Sequence, residues 1–210
     1  MEHNQLCKPI NTLDHILQSH FPTVMVPKYE DLSSCEQGKS RLLVARDGLY
    51  FDTNLPWGEF TKKLFASPAP FPYGTVSERD TMEISARQVL SLIKKHMLDD
   101  IIRSAFNDLE WFGAVAWDGN KLLPVTPDFS ASACAVEYSY ETLPSDILIV
   151  ADIHSHGCGR AFFSDRDNRD DESGMKMAFV VGQCCEANSA TVLWRYCINR
   201  FMFEGGKEIL

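Results

Sequence analysis

A mixed α/β sheet with a helix on its face, preceded by a small β-rich module, is the architecture expected of this chain. Three observations lead there. Ala86, Val89, Leu90, Ile93, Met97, Ile101 and Ala105 recur at helical spacing, a pattern that demands a buried face. Ile147 to Ile153 is an almost unbroken apolar run, suited to a strand covered on both sides. Paired apolar runs flank Asp47-Gly48 and Asp118-Gly119, dipeptides that close hairpins.

The elements follow in chain order. Up to about Phe65 the chain shows short β signals, among them Thr23 to Val26 and the runs Arg41 to Ala45 and Leu49 to Phe51 around Asp47-Gly48. Ser67 to Gly74 then concentrates proline and turn formers, which interrupt regular hydrogen bonding. The division is therefore set there, giving a module over 1–75 and a second domain over 76–210. Asp80 with Glu83 resembles a capping box for the long amphipathic helix, which ends near Asn107-Asp108. Trp111 to Trp117 and Leu122 to Val125 make a hairpin with Glu110 at its entrance. After the Ile147 strand come a connector, a short helix from Asp165, and strands at Met177 to Val181, Thr191 to Ile198 and Phe201 to Phe203. There is no internal repeat and no low-complexity segment.

Composition narrows the function. The 210 residues are 45% hydrophobic and 23% charged, ordinary for a globular protein with one full core and a small appended module. A formal net charge of −9 opposes binding to phosphate backbones, so nucleic acid is not an expected partner. Met1 to Asn4 lacks the start of a signal peptide, and no run approaches a membrane span. A cytoplasmic location with no membrane partner is the expectation. The seven cysteines, an odd number, then read as reduced thiols, and no Cys-x-x-Cys pair exists to build a further zinc site.

The segment Asp152 to Asp167 carries the chemistry. His154 and His156 lie at the carboxyl end of the buried strand; side chains two apart on extended backbone point the same way, so both imidazoles can meet one ion while Ser155 points elsewhere. Ser164-x-x-Asp167 looks like a helix start, with Ser164 at the N-cap and Asp167 one turn in. Two histidines and one aspartate supply three ligands, and catalytic zinc keeps its fourth position for water. Such water ionises near neutral pH and needs a general base. Glu110 is the leading candidate, because a carboxylate at the mouth of a strongly apolar strand has no packing reason to be there. Asp108 and Glu137 are the alternatives.

His154-x-His156, Ser164-x-x-Asp167 and the upstream Glu110-x-x-Gly113 resemble the JAMM motif of the MPN/JAB-domain zinc metalloproteases, many of which act as isopeptidases on ubiquitin or ubiquitin-like modifiers. Asp47-Gly48-Leu49-Tyr50, Pro56-Trp57, Pro72-Tyr73-Gly74 and Ala161-Phe162-Phe163-Ser164 are similar to one bacterial branch, the PRTRC system protein A family, over most of the chain. The resemblance implies an MPN/JAB (cytidine-deaminase-like) mixed sheet with flanking helices behind the β-rich module. It implies one zinc ion per chain on His154, His156 and Asp167, Glu110 as the catalytic base and Ser164 as an oxyanion stabiliser. It also implies a ubiquitin-like protein or its conjugates as substrate, and ThiF/E1-like and E2-like proteins of the same cassette as partners. Many ubiquitin-directed relatives have proline where this chain has Gly157, and no long insertion flanks the metal loop.

Other readings stand beside this one. A non-catalytic MPN-type scaffold binding partner proteins and a zinc hydrolase of small amides use the same residues differently. Cys158, two residues past His156, can fill the water position as thiolate or be a plain loop thiol. Asp152 shares the parity of the histidines and either orients a ring or faces a neighbouring helix. Gly113 either allows a close backbone approach or marks a bulge. The charged run Asp165 to Glu172 reads as a solvated helix face beyond its one ligand. His15, His20 and His96 have no partners at ligand spacing, and the four tryptophans read as packing residues.

Overall fold

The computed structural model describes residues 11–144, 147–185 and 189–210, and the chain divides between Glu83 and Ile84 into two units. In the first, helix α1 (Thr12–His20) precedes strands β1 (Thr23–Met25), β2 (Lys39–Ala45), β3 (Gly48–Leu55), β4 (Gly58–Ala66) and β5 (Arg79–Met82). They form one sheet in that order, with β1 parallel to β2 and the rest antiparallel. Leu43, Tyr50, Phe51, Leu55 and Trp57 are buried in it. Register also sets a polar row: Arg41, Asp52 and Thr61 are successive cross-strand partners, and Asp52 accepts from Arg41 Nε at 2.7 Å and from Thr61 Oγ1 at 2.7 Å. Each buried polar atom named there has a partner, as burial requires.

Two features of this unit differ from the sequence expectation. Helix α1 stands where only β signals are read; Asn11 caps it by accepting from Leu13 N at 2.8 Å. The turn-rich segment before Gly74 is tied down by Arg46 N to Gly74 O at 2.7 Å and Gly74 N to Val26 O at 2.9 Å. The chain then returns as β5 against β4. The first unit therefore runs to Glu83, past the expected division at 75.

The second unit opens with α2 (Ala86–Leu92), a π-helical turn (Ile93–Met97) and α3 (Leu98–Phe106). The capping box is Ser85 with Gln88, not Asp80 with Glu83, because Asp80 is committed to β5. All seven apolar positions expected on the helix are buried. Ile93, Met97, Ile101 and Ala105 recur every four residues, slightly more than the 3.6 of an α-turn. The wider π turn absorbs the drift and keeps the stripe on the core.

Next come β6 (Phe112–Trp117), β7 (Leu122–Val125), β8 (Asp128–Ala131), β9 (Val136–Ser139), β10 (Leu148–Ser155), α4 (Asp165–Asp170), β11 (Met175–Gly182), β12 (Thr191–Ile198) and β13 (Phe201–Ile209). Six of these strands form a mixed sheet in the order β13-β12-β11-β10-β6-β7, while β8 and β9 pair separately. The expected hairpin is present: Asp118 Oδ1 accepts from the backbone N–H of Asn120 and Lys121, both at 2.9 Å, across Gly119. Strands β10 and β11 are parallel, so the chain must cross over between them, and that crossover contains α4. The β8–β9 pair is an addition to the expected elements, and β13 continues well past Phe203. The chain is thus a mixed α/β protein. Among the described residues no helix is long and apolar enough to cross a membrane.

Ile101, fully buried in α3, reports on the helix–sheet core. Ile101→Ala is expected to lower the unfolding free energy by about 2–5 kcal/mol, measured as a fall in the urea midpoint at unchanged m-value.

Candidate metal centre

The pairing of β6 with β10 builds the site. Ile153 opposes Gly113 and His154 opposes Phe112, and the register continues past the ladder: Ser155 N donates to Trp111 O at 2.9 Å and Trp111 N donates to Ser155 Oγ at 2.9 Å. Counting one step further sets Glu110 opposite His156. Opposed residues share a face of the sheet. Glu110, Asp152, His154 and His156 accordingly line one cavity of about 310 Å³, which Ser164 and Asp167 close from the α4 side. Asp108 and Glu137 are absent from that lining, and the Glu137 side chain is 80% exposed.

Helix α4 delivers the third group as its cap predicts. Ser164 Oγ accepts from Asp167 N at 3.2 Å, and Ser164 N donates to Asp167 Oδ2 at 2.6 Å. Asp167 Oδ1 lies 3.3 Å from His154 Nε2, and Oδ2 lies 3.9 Å from His156 Nε2. One ligand atom from each of the three residues falls within 4.8 Å of the others. Tetrahedral zinc bonds of about 2.0–2.2 Å separate ligand atoms by roughly 3.3–3.6 Å, so small side-chain adjustments would be needed to bring the set onto one ion. The nitrogen that would bind it is in place: His154 Nε2 is buried, faces the Asp167 carboxylate and makes no well-formed hydrogen bond. His156 Nδ1–H donates to Arg160 O at 3.3 Å, which fixes the tautomer that leaves Nε2 as a lone-pair donor.

Burial and charge perturb all four groups. Burial pulls the His154 imidazole down, but the Asp167 carboxylate beside it outweighs that and holds its pKa above the ordinary value. Burial pushes the Asp167 carboxyl up, against which His154 and the Ser164 N–H hold it well below the usual carboxylate range. His156 is lowered by burial and by His154. Glu110 is raised, chiefly by burial, with Asp167 adding to it. A raised carboxylate is a stronger base.

One cysteine of the loop departs from the sequence expectation, and two glycines near the site have a structural reason. The reading of all cysteines as reduced thiols is corrected: Cys158 is joined to Cys185 in a disulfide, with Cα atoms 5.0 Å apart, so its sulfur is engaged with the β11–β12 loop rather than with the metal position. Gly157 has φ +55°, a left-handed conformation that proline cannot adopt. Gly113 makes room for a side chain, since a Cβ there would sit 2.2 Å from the Trp111 ring.

Sequence reasoning missed several contributors. Ser155 is fully buried and pins the backbone beside Glu110. Asp171 and Asn168, placed on a solvated face, are engaged with Arg195. Asp152 neither orients a ring nor meets α4 directly but pairs with Lys176. The i+4 offset of Asp171 from Asp167 was the available signal.

Residues 94–197 match the family of prokaryotic homologs of the JAB domain, and residues 11–83 match a domain of unknown function (DUF2016). Each match falls within one of the two units. Together they support a prokaryotic JAB-domain family for this protein. No curated protein matches the chain.

Two outcomes are expected. Non-reducing peptide mapping is to recover Cys158 linked to Cys185, and recovery of both as free thiols in protein purified without reductant contradicts the pairing. In chelator, the raised His154 pKa contributes stability that is complete below its unfolded value of about 6.5 and is lost as pH rises through the higher folded value. The depressed Asp167 pKa contributes stability present above about pH 4 and lost as pH falls below it. The metal-free thermal midpoint should therefore peak between about pH 4 and 6.5 for these groups and decline toward alkaline pH; a Asp167→Asn variant should lose that decline.

Proposed function

We propose that this protein is a zinc-dependent peptidase or isopeptidase of the JAMM type, acting on the C-terminus of a ubiquitin-like protein or on its conjugates. The observation that carries the reading is that ligand atoms of His154, His156 and Asp167 lie within 4.8 Å of one another, with the buried His154 Nε2 turned toward the carboxylate, while Glu110 lines the same cavity from the adjacent strand. A prokaryotic JAB-domain match over 94–197 supports the same class.

The residues divide the work. His154, His156 and Asp167 would hold the ion; when bound, zinc supplies a water of lowered pKa and a Lewis acid for an amide carbonyl. Glu110, half-buried with a raised pKa, takes the proton from the attacking water and delivers it to the leaving amine. Ser164 lines the same cavity, with its Oγ accepting from Asp167 N, and its hydroxyl would turn to donate to a developing oxyanion at the rim. A ubiquitin-like protein as substrate, and ThiF/E1-like and E2-like proteins as partners, are proposed from the sequence resemblance, since a site alone does not fix what enters it.

The test combines metal content with turnover. Purified protein is expected to carry one zinc per chain and to cleave a ubiquitin-like C-terminal fusion. Glu110→Gln should retain the zinc and lose activity by about 10²–10⁴-fold. Protein without bound zinc overturns the metal reading; stoichiometric zinc with no Glu110-dependent cleavage, but firm binding to partner proteins, favours a scaffold instead.

A further inference from the structure

Helix α4 has no apolar means of staying where it is. Its six residues, Asp165-Arg-Asp-Asn-Arg-Asp170, bury none of their side chains against the core, and so short a helix is not stable by itself in water. Yet it must present Asp167 to two imidazoles on a different element. Immediately after it, Asp171 is 5% exposed and one turn beyond Asp167. Asp171 Oδ2 accepts from Arg195 Nη2 at 2.6 Å and Nε at 3.1 Å, and its Oδ1 pairs with Lys176 Nζ at 2.9 Å.

The same cations reach further. Arg195 Nη1 donates to Asn168 Oδ1 at 2.6 Å, and its guanidinium lies 3.8 Å over the Phe163 ring beside the N-cap. Lys176 also pairs with Asp152, two residues before His154 on β10. One ammonium thus touches both the strand that carries the histidines and the segment that carries the carboxylate. Two buried aspartates balance a buried arginine and a half-buried lysine, and such a set is a weak source of stability compared with apolar packing of equal volume. Its directional bonds are what apolar packing could not supply.

We propose that Asp171, Lys176 and Arg195 are positioning residues that hold the Asp167 carboxylate at ligand distance from His154 and His156. The inference rests on the metal reading given under Proposed function and adds to it the polar lattice that presents the third ligand.

Zinc affinity by chelator competition, together with the visible spectrum of the cobalt-loaded protein, tests it in the full chain. Asp171→Asn and Arg195→Lys are expected to remain folded by near-ultraviolet circular dichroism, to bind zinc about 10–100-fold more weakly and to alter the cobalt bands. Arg169→Ala, exposed on the same helix, should leave both unchanged, which separates positioning from a general loosening of α4. If Asp171→Asn does not fold, Asn168→Ala, removing one partly exposed contact, is decided by the same measurements with a several-fold loss expected. Wild-type protein that binds no zinc overturns the metal reading and this inference with it. Zinc bound as tightly by the folded variants as by wild type, with identical cobalt spectra, overturns this inference alone.

Discussion

The two hydrogen bonds exchanged by Ser155 and Trp111 hold the strand register on which the site depends. Side chains alternate across a sheet with a period of two, so a slip of one residue between β6 and β10 would turn Glu110 away from the histidines. The buried Ser155 hydroxyl adds a side-chain bond where the regular ladder ends, extending the pairing just far enough to align residue 110 with residue 156. Position in the fold adds the second constraint. The histidines stand at the carboxyl end of a parallel strand whose crossover begins a helix, the place where open α/β sheets bind ligands.

Around that register the protein places charges in a cavity that water only partly reaches. The cost of burial is offset group by group: Asp167 by His154 and the Ser164 N–H, Asp171 by Arg195 and Lys176, Asp152 by Lys176. His154 Nε2 faces the Asp167 carboxylate at 3.3 Å without a well-formed hydrogen bond, a buried arrangement that a cation between the two would satisfy. The connector after His156 is held on its other side by Cys184 N to Gly157 O at 3.0 Å, Gln183 N to Gly159 O at 2.6 Å and the Cys158–Cys185 bond. Gly182 permits this approach, because a Cβ there would meet Ala161 N at 2.3 Å.

Legibility in the sequence followed the range of the physics. The capping box of Ser164 and Asp167, the Asp118-Gly119 turn and the seven buried helix positions are local patterns, and each stands as read. Helix α1 carries its own signal in Leu13, Ile16 and Leu17 at i, i+3 and i+4 behind the Asn11 cap, but over nine residues that signal is short. The choice of Ser85 over Asp80 as cap turned on β5 pairing with β4, a contact between segments far apart in the chain. The charged run after Ser164 looked uniformly solvated because nothing within it marks that Arg195 lies over Asp171.

Sequence by itself therefore determined the donor chemistry: two imidazoles of equal parity on a buried strand and a carboxylate one turn into a capped helix, since strand period and helix capping act over a few residues. Tertiary structure decided which acid shares the cavity, that Cys158 pairs with Cys185, and that Lys176 and Arg195 pair with Asp171 just after the Asp167 helix. Those outcomes depend on strand register and on contacts between residues more than 20 positions apart, Asp171 with Arg195 (24) and Cys158 with Cys185 (27), and no local pattern encodes such distances.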